Sequence, residues 1–187
     1  MKTFKEFITE NKDFDKDAWL SQQEYTINPD GTIDINGDVK LSTYSLEKLP
    51  FKFGEVTGYF DCSHNQLTSL EGSPKFVGIN FDCSYNELTT LEGSPKFVGG
   101  YFDCSDNELI TLKGCPEHVV DAFYCMTNRI KTIDYLPEYI GGEVFMQLNA
   151  TKFSPEDIER AINKAKNRKY IKTLEYDEIE GIGDIFD

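Results

Sequence analysis

The apolar positions of the chain recur every 21 residues, and several residue types keep this period together. Two columns place an aromatic ring and a thiol in each unit: Phe60, Phe81, Phe102 and Phe123, then Cys62, Cys83, Cys104 and Cys125. Two more hold leucine or isoleucine: Leu67, Leu88, Leu109 and Ile130, then Leu70, Leu91, Leu112 and Ile133. Asparagine and proline complete the unit: Asn65, Asn86, Asn107, Asn128 and Asn149, then Pro74, Pro95, Pro116 and Pro137. Such repetition indicates stacked structural units rather than one catalytic site.

Each unit contains the alternating stretch YFDCS or a close copy, which predicts a short β-strand. The alternation directs Phe60 and Cys62 to one face of the strand and Tyr59, Asp61 and Ser63 to the other, so the serine column is expected to point outward. The leucines of NQLTSL then turn inward, and a glycine and proline bend returns the chain to the next parallel strand. Because one unit cannot bury its own apolar face, stacked units must share a continuous core.

The repeat therefore predicts an α/β solenoid with mostly β and irregular coils, right-handed by the usual crossover rule. Weaker copies at Val39 and Leu41, and at Val144 and Met146, bring the prediction to about six parallel rungs. The cysteines are interpreted as an interior row of small apolar groups, since no C-x₂-C pair typical of zinc sites is present. The asparagines are expected to bond the backbone at successive turns. We predict no metal and no cofactor.

The columns resemble the leucine-rich repeat family. Its consensus L-x-x-L-x-L-x-x-N-x-L is matched by Phe60, Cys62, Asn65 and Leu67, and again at each 21-residue step. The trailing LTSL and proline are similar to the short bacterial-effector type of repeat. The resemblance covers residues 38–153 and departs from the family in using phenylalanine and cysteine where leucine is commoner. It implies that the outward strand positions line a concave surface.

The ends of the solenoid need caps, because its terminal rungs would otherwise expose the core. Turn signals at Asn28–Gly31 and Asn36-Gly37 flank alternating isoleucines and predict a small antiparallel β-meander before the first rung. Ser154, as N-cap before Pro155, begins a predicted capping helix with one apolar stripe. The predicted organisation is a helical segment over 1–24, a β-hairpin cap over 25–37, the solenoid over 38–153, a capping helix over 154–170 and an acidic tail over 171–187. The tail either packs on the solenoid or engages a partner.

The balance of charges limits the possible partners. The chain has 33 acidic and 19 basic residues, for a net charge of −14. Direct binding to nucleic-acid phosphates or to an anionic membrane needs clustered Lys and Arg, which this sequence lacks. No apolar run approaches the ~20 residues that a membrane-spanning helix requires. A protein partner with a basic surface is favoured, and we expect the chain to act as a monomer in the cytosol.

The outward strand positions are the candidate partner-binding residues. They combine carboxylates with exposed aromatic and apolar side chains: Asp61, Asp82, Asp103, Asp106, Tyr59, Tyr85, Tyr101, Tyr124, Met126 and Phe145. Aromatic anchors of this kind are typical of protein interfaces. Alternatively, the aspartates are merely copied with the repeat and stay solvated. The two histidines, His64 and His118, occupy unrelated positions, and no phosphate loop or His-Glu metal motif is present. We therefore predict no enzyme, leaving open one without a recognisable motif.

The first ten residues, MKTFKEFITE, resemble the capsid-targeting peptide of T-even-type tailed phages, which is cut after an (Ile or Leu)-x-Glu pattern. The resemblance implies phage origin and a cleavage site after Glu10, with Ile8 as the first residue of the recognised pattern. Alternatively, this segment is an amphipathic helix packed on the cap. The leading hypothesis is a phage protein that inhibits a host defence factor or toxin in the host cytoplasm, by acidic mimicry of DNA. The rival hypothesis is an internal protein of the phage head.

Overall fold

Each coil of the chain contributes one short strand to each of two sheets. The computed structural model describes residues 14–149, Ala161 and the backbone of Thr173–Glu175. Sheet 1 has the strand order β1 (Tyr25–Ile27), β2 (Ile33–Ile35), β4 (Phe53–Val56), β6 (Phe76–Val77), β8 (Phe97–Val98), β10 (His118–Val119), β12 (Tyr139–Ile140). Sheet 2 has the order β14 (Thr173–Glu175), β13 (Glu143–Phe145), β11 (Phe123–Tyr124), β9 (Phe102–Asp103), β7 (Phe81–Asp82), β5 (Phe60–Asp61), β3 (Val39–Lys40).

The strands of sheet 2 pair in parallel at the period of the sequence repeat. Val39 pairs with Phe60, and the register continues without a shift through Phe123 and Val144. The chain thus makes about five turns of a parallel β-solenoid. This confirms the predicted solenoid. The strands β6, β8, β10 and β12 of sheet 1 were not predicted, because each is only two residues long and lies in the segment interpreted as a glycine and proline bend.

Inside the solenoid, the repeated apolar columns form one continuous core. The rings of Phe60, Phe81, Phe102 and Phe123 are fully buried and stack nearly parallel, with successive centroids 5.3, 5.3 and 5.4 Å apart. The cysteine column beside them is equally buried, as the sequence predicted. Burial raises the pKa of the Cys62, Cys83 and Cys104 thiols well above the ordinary value. These thiols therefore behave as small apolar groups rather than as nucleophiles.

Buried asparagines connect successive coils at one corner, as predicted. The Asn86 side-chain amide donates to the carbonyls of Cys62, Cys83 and Ser84 at 3.0, 3.1 and 3.2 Å. Its Oδ1 accepts the Leu67 N–H at 3.0 Å. Equivalent bonds recur at the other positions of the column: Asn65, Asn107, Asn128 and Asn149. Each asparagine thus satisfies backbone groups of its own coil and of the coil before it.

The N-terminal end of the core is covered by a short helix, α1 (Lys16–Leu20). Asp15 caps the helix by accepting the N–H groups of Asp17 and Ala18 at 3.2 and 3.0 Å. Trp19 lies on the first coil and donates its indole N–H to the Lys40 carbonyl at 3.2 Å. The helix has five residues and occupies part of the predicted segment 1–24.

The predicted β-meander differs from the observed arrangement. The strands β1 and β2 form an antiparallel hairpin, but β2 continues into sheet 1 by parallel pairing with β4. After Asn36-Gly37 the chain enters β3, which belongs to sheet 2. The second turn signal is thus a corner between two sheets and not a second hairpin, because parallel pairing buries both isoleucines of β2.

At the C-terminal end, most of the predicted capping helix and acidic tail lies outside the described residues. Within those ranges, Ala161 is helical and buried. Thr173–Glu175 forms β14, which pairs in parallel with β13 of sheet 2. The beginning of the acidic tail therefore extends sheet 2 by one strand.

Candidate functional site

The outward positions of sheet 2 form a continuous surface of carboxylates followed by aromatic rings. Parallel pairing places one column in register: Lys40, Asp61, Asp82, Asp103, Tyr124 and Phe145. Tyr59 and Tyr101 precede two of these strands. We call these eight residues the acidic–aromatic face. Neighbouring members are one strand apart, about 4.8 Å in a parallel sheet.

Hydrogen bonds to the next serine fix the orientation of the three aspartates. Asp82 Oδ1 accepts the N–H and the hydroxyl of Ser84 at 2.9 and 2.7 Å, and Asp61 does the same with Ser63. Asp103 Oδ1 accepts the Ser105 N–H at 2.8 Å. The serines are buried beneath the face, so the interpretation of the serine column as an outward column was wrong. The reason is that each strand ends at its aspartate, and the chain turns inward after it.

Asp82 and Asp103 are half-buried, which changes their affinity for protons. Burial raises the pKa of Asp82 and Asp103, against the lowering effect of the serine hydrogen bonds, and the neighbouring carboxylates raise it further. Burial also raises the pKa of Tyr101, as do the charges of Asp82, Asp103 and Asp61. The face thus carries negative charges that its own packing disfavours, and a cationic group would stabilise them.

This cost predicts a measurable dependence of stability on pH. Asp82 and Asp103 bind a proton more tightly in the folded chain than at the ordinary carboxyl pKa of 3.8. The free energy of unfolding should therefore fall as the pH rises from 3.8 through the raised pKa values of the two carboxyls in the folded chain. The double variant Asp82→Asn, Asp103→Asn should not show this loss. We expect the variant to have the higher denaturation midpoint at neutral pH, and the difference to vanish in acid.

The control for this measurement is Asp30→Asn. Hydrogen bonds from Thr32 lower the pKa of Asp30. This exposed carboxylate therefore stabilises the folded state at pH values above its unfolded pKa of 3.8. Its replacement should change stability slightly in the opposite direction at neutral pH. If the stability of both variants changed with pH in the same way, the loss of stability at neutral pH could not be assigned to burial of Asp82 and Asp103.

A cleft lies among the strands β5, β7 and β9 of the face. It has a volume of about 290 Å³ and is lined by Tyr59, Phe60, Asp61, Asn80, Asp82 and Tyr101. Lys40 lies over the Tyr59 ring, with its Nζ 5.4 Å from the centroid, and closes the acidic column at its N-terminal end. The cleft therefore offers two carboxylates between two tyrosines, an arrangement suited to one lysine or arginine side chain.

The other half of the face is aromatic. Tyr124 stacks on Phe145 with their centroids 4.8 Å apart, and Tyr101 meets Tyr124 edge to face at 5.8 Å. All three rings are half-buried. Met126, also half-buried, follows on the chain after Tyr124, and its N–H bonds the Ser105 hydroxyl at 3.2 Å. The three rings give the face a preorganised apolar surface beside its charges.

Two predicted site residues belong to a separate row. Tyr85 and Asp106 lie at the turn after the strands, where they adopt the left-handed conformation with φ of 52° and 54°. Tyr85 is 52% exposed and stacks on His64 at 4.3 Å between centroids. The turn thus separates these residues from the acidic–aromatic face and forms a rim beside it.

A second aromatic row, on sheet 1, was not identified from the sequence. Phe76, Phe97, His118 and Tyr139 stack at centroid separations of 5.0, 6.2 and 4.8 Å. Their 21-residue spacing was the available signal. Because Phe97 and His118 have a stacked ring on each face, the inner part of this row presents ring edges, and the row fits a role in holding the coils together.

The proposed cleavage positions Ile8 and Glu10 lie outside the described residues. Among the residues that are described, no group of three or more His, Cys, Asp or Glu side chains is arranged to hold a metal ion. In the same part of the chain, no helix has the length and apolarity needed to cross a membrane.

Comparison of the chain with protein-family models, with curated proteins and with solved structures gave no match. The assignment of function consequently depends on the geometry and charge of the acidic–aromatic face.

Proposed function

We propose that the protein is a non-enzymatic binding module of the leucine-rich repeat type, with about six rungs and with sheet 2 as its concave face. In this proposal, a phage uses the acidic–aromatic face in the host cytoplasm to bind and inhibit a host defence factor or toxin. The observation that carries the proposal is the fixed row of Asp61, Asp82 and Asp103 beside the Tyr124–Phe145 stack.

A basic surface is the partner chemistry that fits this row best. The net charge of −14 steers cationic partners towards the protein, and the row gives them bonds of defined geometry. Folding already removes part of the water around Asp82 and Asp103. Less free energy is therefore needed to desolvate these carboxylates when a partner binds. The aromatic rings beside the row supply apolar contact area of the kind found at interface centres.

The spacing of the carboxylates also suggests what the partner normally binds. One charge per strand, about every 4.8 Å, is comparable to the one phosphate per 3.4 Å of axial rise along a DNA strand. A host protein with a nucleic-acid groove would therefore meet a similar line of negative charge. The phage origin of the module is supported by the resemblance of its first ten residues to a capsid-targeting peptide.

Binding kinetics with a partner captured from infected cells test the proposal. The triple variant Asp61→Asn, Asp82→Asn, Asp103→Asn keeps the serine hydrogen bonds, because an amide oxygen also accepts. It should slow association and flatten the dependence of the rate on salt concentration. Tyr124→Ala should instead speed dissociation, by roughly 30-fold if the ring is an anchor worth ~2 kcal/mol.

Matched controls separate the face from the overall charge. A second triple variant, Glu47→Gln, Glu71→Gln and Glu87→Gln, makes the same change of charge at exposed residues outside both sheets. Tyr139→Ala removes a stacked ring from sheet 1. A partner that responds equally to each variant and to its control would place the binding site away from the acidic–aromatic face.

A further inference from the structure

The first strand of sheet 1 leaves a row of backbone groups without a neighbouring strand. Among the described residues, β1 is the terminal strand and pairs only with β2. Glu24 O accepts the Asn36 N–H, and Asn28 N–H donates to Thr32 O, both at 2.8 Å. In an antiparallel pair these bonds alternate, so the N–H and C=O groups of the intervening residues Tyr25 and Ile27 point towards the open edge.

The side chains at this edge are apolar and exposed. Tyr25 is 43% exposed and Ile27 is 62% exposed, although they share a face with the buried Ile33 and Ile35 opposite them. Proteins usually protect an edge strand with lysine, proline or a bulge. The strand Tyr-Thr-Ile has none of these. It therefore has both the backbone groups and the apolar surface that strand addition uses.

The opposite face of the same strands is acidic. A cleft of about 410 Å³ is lined by Glu24, Thr26, Asp34, Asn36, Glu55 and Thr57 of this face, and its lining is completed by Tyr25 and Ile35, which lie between these residues along the strands. It has three carboxylates and no lysine or arginine in its lining. Asp34 Oδ1 accepts the Glu55 N–H and the Asn28 side-chain amide, both at 2.8 Å, while Glu24 and Glu55 are exposed.

We propose that β1 receives an extended segment of a basic partner protein as an added strand. The two faces of β1 specify a segment in which apolar residues alternate with Lys or Arg. The apolar residues would lie beside Tyr25 and Ile27, and the basic residues beside Glu24 and Thr26, on the face of the sheet that also carries Asp34 and Glu55. A second copy of this chain is a poor occupant, because it would bring like carboxylates together in a protein of net charge −14.

A labelled Lys-Val-Lys-Val-Lys-Val peptide with blocked ends tests this site on the full chain. It should bind about tenfold or more tightly than the matched Glu-Val-Glu-Val-Glu-Val peptide. Two further versions carry N-methyl groups either on all valines or on all lysines. Since alternate N–H groups of a strand face the same edge, only one of these two versions should lose binding.

Hydrogen exchange locates the peptide. The Tyr25 and Ile27 amides should gain protection on binding, while the Thr26 amide, which already faces β2, should change little. The triple variant Asp61→Asn, Asp82→Asn, Asp103→Asn should bind the peptide as the parent does, so the result is independent of the acidic–aromatic face.

Several outcomes would overturn the proposal. Equal binding of the two N-methylated peptides would exclude strand addition, and equal binding of the acidic peptide would exclude the charge preference. Protection at sheet 2 instead of at β1 would place the peptide elsewhere. A dimer in solution with protected Tyr25 and Ile27 amides would show that a second copy fills the edge.

Discussion

Replacement of Asn86 by alanine is expected to destabilise the protein by about 3 kcal/mol or more, a large fraction of a typical folding free energy. The substitution removes the amide group whose two N–H donors are shared among three carbonyl oxygens, and it leaves the Leu67 N–H without its acceptor. Both coils that meet at Asn86 are affected. Urea denaturation should show a clear fall in the midpoint. The control is Asn36→Ala, because the exposed Asn36 side chain accepts only the Thr57 hydroxyl among the bonds described.

The variant Asn86→Asp separates the hydrogen bonds from the volume of the side chain. An aspartate has almost the same shape and still accepts the Leu67 N–H. When ionised, however, it has no N–H or O–H group to donate to the three carbonyl oxygens that the Asn86 amide contacts. Burial and these oxygens should raise its folded pKa, so its destabilisation should grow as the pH rises through that value. A deficit in Asn86→Asp that does not change with pH would contradict the hydrogen-bond explanation.

The core of the solenoid was predictable because each column has one environment. The phenylalanine and cysteine columns, which include Phe81 and Cys83, face inward in every coil. The parallel register keeps them there, because a slip of one residue would expose the entire set. The strand Phe76–Val77 was not predictable in the same way. Two residues are too few to show alternation, and the flanking Pro74 and Gly78 are equally typical of a bend.

The candidate site was predictable only in its composition. The sequence identifies the outward column that contains Asp82, but it does not reveal that the Asp82 carboxylate bonds back to Ser84 and becomes half-buried. The left-handed turn at Tyr85, which removes this residue from the face, also had no signal, because tyrosine rarely adopts that conformation. These features depend on the path of the chain after the strand ends.

Replacement of Phe102 by alanine is expected to cost about 4 kcal/mol, because the ring is fully buried and stacks between two others. The matched control is Phe97→Ala on sheet 1, where the half-exposed ring stacks on Phe76 and His118 and its loss should cost about 1 kcal/mol. Thermal and urea unfolding of the two variants measure this difference directly.

The position of Phe102 near the middle of the solenoid adds a second expectation. Stability in a stacked array is the sum of the coils and of the interfaces between neighbours, so a cavity at a central interface weakens the coupling of the two halves. Hydrogen exchange in Phe102→Ala should show the amides after Asp103 opening at lower free energy than those before Phe81, whereas the parent should open as one unit. Uniform loss of protection along the whole chain would mean that the coils remain fully coupled and that the core does not behave as a series of nearest-neighbour contacts.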